Sequence, residues 1–524
     1  MKKPKVRYDM VLFGLLMAFL FVPIVQQHTG FVSVKPLKGV IEPTPKPRLT
    51  FDSYRDNSYQ AQIEKYASEN FGLREPVIRV YNQYLWSAYR KTYCNFIVPG
   101  KQGYLYYALA VNEHYGNELL KHYKSNEQAM SGAEAELRYM NKLRHVLKGY
   151  GIEFLAFIAP DKPEVYPEYL PRRDADTTTV HLTDYFARRM EETGFPFIDM
   201  TGWFVGMRDT ASFPLFPKTD SHWRYAAVYA YDSLFRFINA MDGEAKFPAL
   251  HIGPPLAYES DDLEGDEETL NLLFRIRGDK TKYKSDITVV PDTTHRKPKV
   301  LFVGDSFIWS MNDFLPTRQL MDGKEIWFYN NTAFMGFDNK SMSVNDIDRV
   351  SHILDADYVV FYSAGHQWWE ATYGFTKDAL LQLCVSDSLF EATVDDYTMR
   401  QRDDCDTLTE ETLRGNVRWM LLHNPELIPG LDGDQMPTIR NTERIEAALA
   451  RKNQPEPNRP AVTDTAAFIR AKKQEIMETW RNYPKQMELL RQKAKEWNMP
   501  LDSVMERDAQ WVINKQIENG ELFK

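Results

Sequence analysis

Cysteine is nearly missing from this chain of 524 residues, which has three: Cys94, Cys384 and Cys405. So few, so far apart, exclude a disulfide framework and a cysteine-built zinc cluster. At most one pair bridges, and Cys384 with Cys405 is the nearer in sequence. Excess positive charge is missing as well. The 64 basic residues against 73 acidic ones leave a net charge of −9, which argues against a nucleic-acid partner held by phosphate attraction and favours polysaccharides or small molecules. There is no Walker loop, no Rossmann glycine fingerprint and no metal-spaced histidine cluster, so neither cofactor nor metal is expected. What is present is core material. A 43% hydrophobic and 13% aromatic content excludes wholesale disorder, and the length suggests two to four structural units.

The N-terminus decides the expected compartment. Lys2, Lys3, Lys5 and Arg7 precede a charge-free apolar stretch from Met10 to Val25, and a basic flank of this kind stays on the cytoplasmic side. The run is short for a full span, so a cleaved signal peptide competes with an anchor. Gln26-Gln27-His28-Thr29 follows it, not a small-x-small cleavage site, which favours the uncleaved anchor over residues 1–30. Residues 31–50, rich in proline and lysine, read as a tether lifting a domain off the membrane. From Tyr59 to Tyr89 apolar residues recur at helical spacing, predicting two helices broken near Gly72 that pack on the main domain.

Residues 51–371 read as one α/β domain, a doubly wound, mostly parallel sheet flanked by helices. A helix over Ala133 to Lys148 precedes the apolar run Ile152 to Ala159, which suits a strand buried on both faces. A helix over Thr183 to Thr193 and a strand over Phe197 to Met200 continue the rhythm, which resumes in strands at Lys299 to Val303, Glu325 to Tyr329 and Ala356 to Tyr362. The acidic stretch 258–296 reads as a loop-rich insertion. Residues 372–524 read as a mainly helical appendage, with a proline-rich hinge at Asn453 to Pro460.

Two motifs carry the chemistry together. Gly304-Asp305-Ser306-Phe307 follows a strand directly, and strand ends are where functional side chains converge in such sheets. A serine hydroxyl needs a base to take its proton as it attacks. Thr219-Asp220-Ser221-His222-Trp223 supplies a histidine, with Asp220 placed to hold the imidazole tautomer that leaves the other nitrogen free for Ser306. On this reading Ser221 points away and Trp223 packs beneath His222. His366 with Trp368 and Trp369 reads either as a sugar-stacking wall or as loop packing. Lys162 reads either as a contact to an acidic polymer or as a solvated loop charge. The Ser306 backbone N–H is a natural oxyanion donor, and Tyr362, Ser363 and Gly365 are candidates for a second donor or an ordinary strand exit.

The Gly304-Asp305-Ser306 block resembles the nucleophile block of the SGNH hydrolase superfamily, which usually precedes the histidine block. Here the order is reversed. That reversal resembles the alginate O-acetyltransferase family and its DHHW-motif relatives, with Asp220-Ser221-His222-Trp223 departing from Asp-His-His-Trp at its second position. Three further segments are similar to the same family: Glu69 to Arg74, Val98 to Tyr106, and Pro160 to Pro167. The resemblance implies an SGNH-like fold with Ser306 as nucleophile, His222 as general base and then acid, and Asp220 as orienting carboxylate. It further implies a periplasmic, inner-membrane-anchored O-acetyltransferase acting on hydroxyls of an exported polysaccharide. The acetyl donor would arrive through a membrane-bound acyltransferase partner. A carbohydrate acetylesterase using the same triad and a noncatalytic scaffold of an envelope polysaccharide machine are the alternatives.

Overall fold

The computed structural model describes residues 8–39, 44–243, 245–260, 265–274, 276, 280–290, 296–402, 408–431, 436–437, 442–452, 465–481, 484–496 and 499–518. Cys405 and the hinge Asn453 to Pro460 lie outside them.

Helix α1 (Tyr8–Thr29) is apolar and exposed along its length, and it alone among the described helices is long and apolar enough to cross a membrane. Helices α2 (Ser58–Glu69) and α3 (Arg74–Tyr89) follow, with the break at residues 70–73. Of the two, only Trp86 is buried, against Ile97, Leu105 and Leu270. Part of the segment 31–50 is held against the protein. Arg79 donates to the carbonyls of Lys35 (2.8 Å) and Pro36 (2.7 Å), and Lys38 and Asn271 exchange two hydrogen bonds of 2.8 and 2.9 Å. The segment from Lys35 to Lys38 is therefore a strap lying on the protein.

Seven strands form the central sheet: β1 (Glu153–Ala159), β2 (Phe197–Asp199), β3 (Lys299–Gly304), β4 (Gly323–Phe328), β5 (Thr332–Met335), β6 (Lys340–Ser343) and β7 (Tyr358–Ala364). Their order is β6-β5-β4-β3-β7-β1-β2. The pairs β4/β3, β3/β7, β7/β1 and β1/β2 are parallel, while β5 and β6 extend the sheet as an antiparallel edge. β5 and β6 were not expected from the sequence; each is four residues long and β6 is mostly exposed, so neither shows a buried apolar run.

Alternation along the strands sends residues to two cores. Phe154, Ala156, Ile158, Leu301, Val303, Val359 and Phe361 face one, with α4 (Asn126–Lys148) and α5 (Leu182–Thr193) packed there. Leu155, Phe157, Phe302, Val360 and Tyr362 face the other, beneath α6 (Ala227–Asp242). α4 begins earlier than its apolar periodicity suggests, because the Ser125 hydroxyl caps it by accepting from the Gln128 N–H.

Past residue 372 the described chain is mainly helical, as expected, and its first helices pack into the main domain. Helices α7 (Phe375–Cys384), α8 (Asp387–Arg402), α9 (Glu410–His423) and α10 (Thr442–Lys452) contribute Phe375, Leu380, Val394, Val417 and Ile445 to the first core. Only α11 (Thr465–Arg481), α12 (Pro484–Glu496) and α13 (Leu501–Glu518) gather around a small core of their own, centred on Leu490, Val504 and Met505. The stretch 258–296, expected to be loop-rich, contributes strands Ile287–Val289 and Thr281–Lys284, which pair with Leu250–Ile252 just before it and with Leu256–Glu259 at its start.

Register places the sheet's carboxyl ends side by side. Gly304 stands opposite Phe328 on one flank and Tyr362 on the other, and Ala364 stands opposite Ala159. A β-carbon on Gly304 would overlap the carbonyl oxygen of Tyr362, so the glycine is what lets β3 and β7 approach here. Gly304→Ala is expected to destabilise the fold by about 2–4 kcal/mol, read as a lowered midpoint in urea unfolding; an unchanged midpoint would remove the steric argument.

Candidate active site

Four turns leave the aligned strand ends, and each delivers a polar side chain to one cavity. It has a volume of about 180 Å³ and is lined by Tyr107, Ser221, His222, Asp266, Ser306, Tyr329 and His366, among others. After β3 the chain enters a 3-10 turn at Ser306, shaped by Asp305. The Asp305 carboxylate, buried, accepts from the N–H groups of Phe307 (2.9 Å) and Ala364 (2.7 Å). It thereby pins the serine turn to the end of β7. Burial raises its pKa, against the lowering effect of those two backbone bonds.

His222 Nε2 lies 2.7 Å from Ser306 Oγ across 84 positions of sequence. Its Nδ1 is 3.3 Å from Asp220 Oδ1, a long contact, supplemented by a 3.1 Å bond from the His222 backbone N–H to the same oxygen. Trp223 is buried in the second core and donates its indole N–H to the Phe307 carbonyl at 3.2 Å, so the loop bearing the imidazole is fixed to the turn bearing the serine. For Asp220 burial alone would raise the pKa, but the His222 bond and the Arg224 charge outweigh it and hold the carboxylate below its ordinary range. For His222 burial lowers the pKa and the Asp220 carboxylate more than restores it, leaving the imidazole above its ordinary 6.5.

Three features of this site were not anticipated. Arg224, four residues beyond Asp220 in the loop before α6, donates to its second oxygen at 2.6 Å. The insertion closes on the motif. The Ser221 N–H donates to Asp266 at 2.8 Å, and Gly265, at φ +59°, lies so close that a β-carbon there would overlap the Asp220 carboxylate. Ser221 consequently lines the cavity rather than pointing away from it. Tyr329, just past β4, stands beside Ser306: burial raises its phenol and a hydrogen-bonding contact with Ser306 opposes the rise. Its φ of +48° is strained for a bulky side chain. Only the register of β4 against β3 reveals that position.

The remaining expected site residues separate. His366 lines the cavity, 5% exposed, with Nδ1 2.6 Å from Asp161 Oδ1. Trp368 does not face the cavity: it is 1% exposed and packs in the first core on Phe186 and Phe361. Trp369 stacks on His122 instead of joining a wall with His366. Tyr362 does not face it either. Strand alternation turns its ring into the second core, stacked on Phe157 and Tyr231. Lys162 is neither a polymer contact nor a solvated charge. Its ammonium is buried among the carbonyls of Leu105, Pro217, Lys218 and Asp220, at 2.6 to 2.9 Å. Burial lowers its pKa to about 7, with Asp220 and Asp266 opposing the shift. A carbonyl cage of this kind staples the loop before His222 to the rest of the domain.

Among the described residues no cluster of three or more His, Cys, Asp or Glu side chains could hold a metal ion. What the cavity offers is a hydroxyl, an imidazole that can take its proton, and a carboxylate behind the imidazole.

Residues 97–272, about a third of the chain, match the family model described as ALGX, the SGNH hydrolase-like domain of the acetyltransferase AlgX. The matched segment holds Asp220 and His222 and stops before Ser306. A search of curated proteins gave no match. Among solved structures, the O-acetyltransferase domain of Pseudomonas putida AlgJ is similar at 16% identity and a TM-score of 0.36, covering 52% of this chain and 92% of that one. Pseudomonas aeruginosa AlgX aligns at 14% identity and 0.31, covering 56% and 70%. Bacillus cereus PatB1 aligns at 13% identity and 0.28, covering 47% and 91%.

Two substitutions separate the supports of the site. Gly265→Ala is expected to displace Asp220 and slow labelling of Ser306 by a fluorophosphonate by about 10- to 100-fold, with far-UV circular dichroism unchanged. Lys162→Met leaves buried carbonyls unpaired and is expected to cost on the order of 3 kcal/mol, measured by chemical denaturation. Wild-type labelling in the first or wild-type stability in the second removes the corresponding support.

Proposed function

We propose that this chain transfers an acetyl group, through Ser306, to a hydroxyl of an exported polysaccharide. The carrying observation is the 2.7 Å approach of His222 Nε2 to Ser306 Oγ, with Asp220 behind the imidazole and Ser306 just past the carboxyl end of the parallel strand β3. The AlgX acetyltransferase match over residues 97–272 supports acyl transfer as the reaction class.

In the first half-reaction Ser306 Oγ attacks the acyl carbonyl and its proton passes to His222 Nε2. Asp220 stabilises the imidazolium, and collapse expels the donor's leaving group, which takes that proton. In the second, an acceptor hydroxyl gives its proton to His222 and attacks the acyl-serine, and Ser306 leaves with the proton returned. Water in place of the sugar would make the same site an esterase. Helix α1, preceded in sequence by Lys2, Lys3, Lys5 and Arg7, supports an uncleaved anchor in the inner membrane with the site on the periplasmic side. A membrane-bound acyltransferase partner supplying the acetyl group completes the proposal.

The test incubates the full chain with a chromogenic acetyl ester, with and without oligosaccharide. Ser306→Ala is expected to lower kcat by at least ~10³-fold, and mass spectrometry is expected to find acetylated sugar; activity unchanged in the variant overturns the nucleophile assignment, and acetate alone overturns transfer. The pH profile carries a second expectation. His222 must be neutral to accept a proton, and Asp220 stabilises its protonated form, so activity is lost as pH falls through a pKa above 6.5. In Asp220→Asn this acid limb is expected to move to lower pH and the maximal rate to fall by about 10²- to 10⁴-fold; a limb that does not move disconnects Asp220 from the base.

A further inference from the structure

A second imidazole and carboxylate face the cavity that holds Ser306. Asp161, in the turn after β1, accepts from His366 Nδ1 at 2.6 Å, and both groups are buried, at 7% and 5% exposed. The ring is held from several sides. Tyr107 meets it edge-on at 5.2 Å, Phe307 at 6.4 Å, and the preceding Gly365 carbonyl accepts from Thr183 at 2.6 Å. With Nδ1 committed, Nε2 has no protein partner among the described residues. His366 lines the cavity, so this nitrogen can meet a ligand there.

We propose that His366, positioned by Asp161, donates a hydrogen bond from Nε2 to the carbonyl oxygen of the acyl group as Ser306 attacks it. The placement follows from register. Tyr362 stands opposite Gly304, so the turn carrying His366 and the turn carrying Ser306 leave neighbouring strands at one level. The Ser306 N–H, at the first position of its 3-10 turn, also has no partner among the described residues and offers the companion donor. Charge supports the donor form. Burial favours a neutral ring, but Asp161, Asp305 and Glu113, which face it from three different elements, raise its pKa above the ordinary value. In the attack, the Oγ–C bond forms, the carbonyl electron pair moves to oxygen, and the Oγ proton goes to His222. His366 keeps its own proton throughout and gives it to neither partner. Donors of this type act where negative charge develops and are worth about 10²- to 10³-fold in rate.

This inference rests on the Ser306 acylation proposed above, and one experiment tells the two apart. The burst of chromophore from an acetyl ester reports acylation in the full chain. H366A is expected to slow the burst by about 10²- to 10³-fold with KM for the ester within about threefold. H366Q, whose amide can donate from a similar position, is expected to recover most of that loss. A Ser306-dependent burst that H366A leaves unchanged, or a variant whose only defect is a raised acceptor KM, overturns the inference alone. A wild-type chain without a Ser306-dependent burst overturns the reaction itself, and the inference with it. Because H366A empties a buried position, the wild-type ring is also titrated by NMR: a His366 pKa above the ordinary 6.5, and lower in Asp161→Asn, is the expected result. A His366 pKa at or below 6.5 overturns the proposal whatever the variants do.

Discussion

Parallel pairing with Gly304 held between Phe328 and Tyr362 is the constraint on which the site depends. Parallel neighbours end at the same edge, so the turns after β1, β3, β4 and β7 emerge together, and each contributes: Asp161, Ser306, Tyr329 and His366. None of these residues is close to another in sequence. Were the register of β7 shifted by one residue, the side chains along that strand would change faces, and the bond from the Ala364 N–H to Asp305 would be lost with them. The close approach at Gly304 and the Asp305 clamp therefore hold the same geometry from two directions, one by shape and one by hydrogen bonding.

Charge is then distributed so that few ions in the crevice stand alone. Asp220 is shared by His222 and Arg224, Asp161 by His366, and Lys162 by four carbonyls. A buried carboxylate without such partners would be driven toward its neutral form. The His222 bond to Oδ1 and the Arg224 contact to Oδ2 together keep Asp220 ionised. The serine, imidazole and carboxylate are thus one part of a wider set of buried ions that positions the loop from Thr219 to Trp223.

Much of the sheet was legible because strands buried on both faces are written as apolar runs, as at Phe154 to Ala159 and Val300 to Val303. The pairing of the two motifs could also be read, since a serine at a strand end calls for a base. The edge strands β5 and β6 carry no such run and stayed hidden. Tyr362 was misplaced because an aromatic residue on a strand looks the same in sequence whether alternation turns it to solvent or to the core, and Trp368 because the 3-10 segment after β7 turns its ring into the first core. Lys162 was misread because a lysine in a loop is ordinarily solvated, and nothing local announces four converging carbonyls. Tyr329, Asp266 and Gly265 required knowledge of which distant segments touch, which register and long-range packing decide.

The segment covering Asp220 has a thermodynamic character of its own. Gly265 and Asp266 belong to the region bearing two short two-stranded ladders, whose described residues bury few apolar side chains, Leu250, Leu270 and Val289 chief among them. Segments with so little buried area open at a lower free-energy cost than a doubly covered sheet. Warming would therefore release the cover and admit water to the carboxylate while the seven strands stay intact. Turnover would fade at temperatures where circular dichroism still reports a native molecule, and cooling would bring it back.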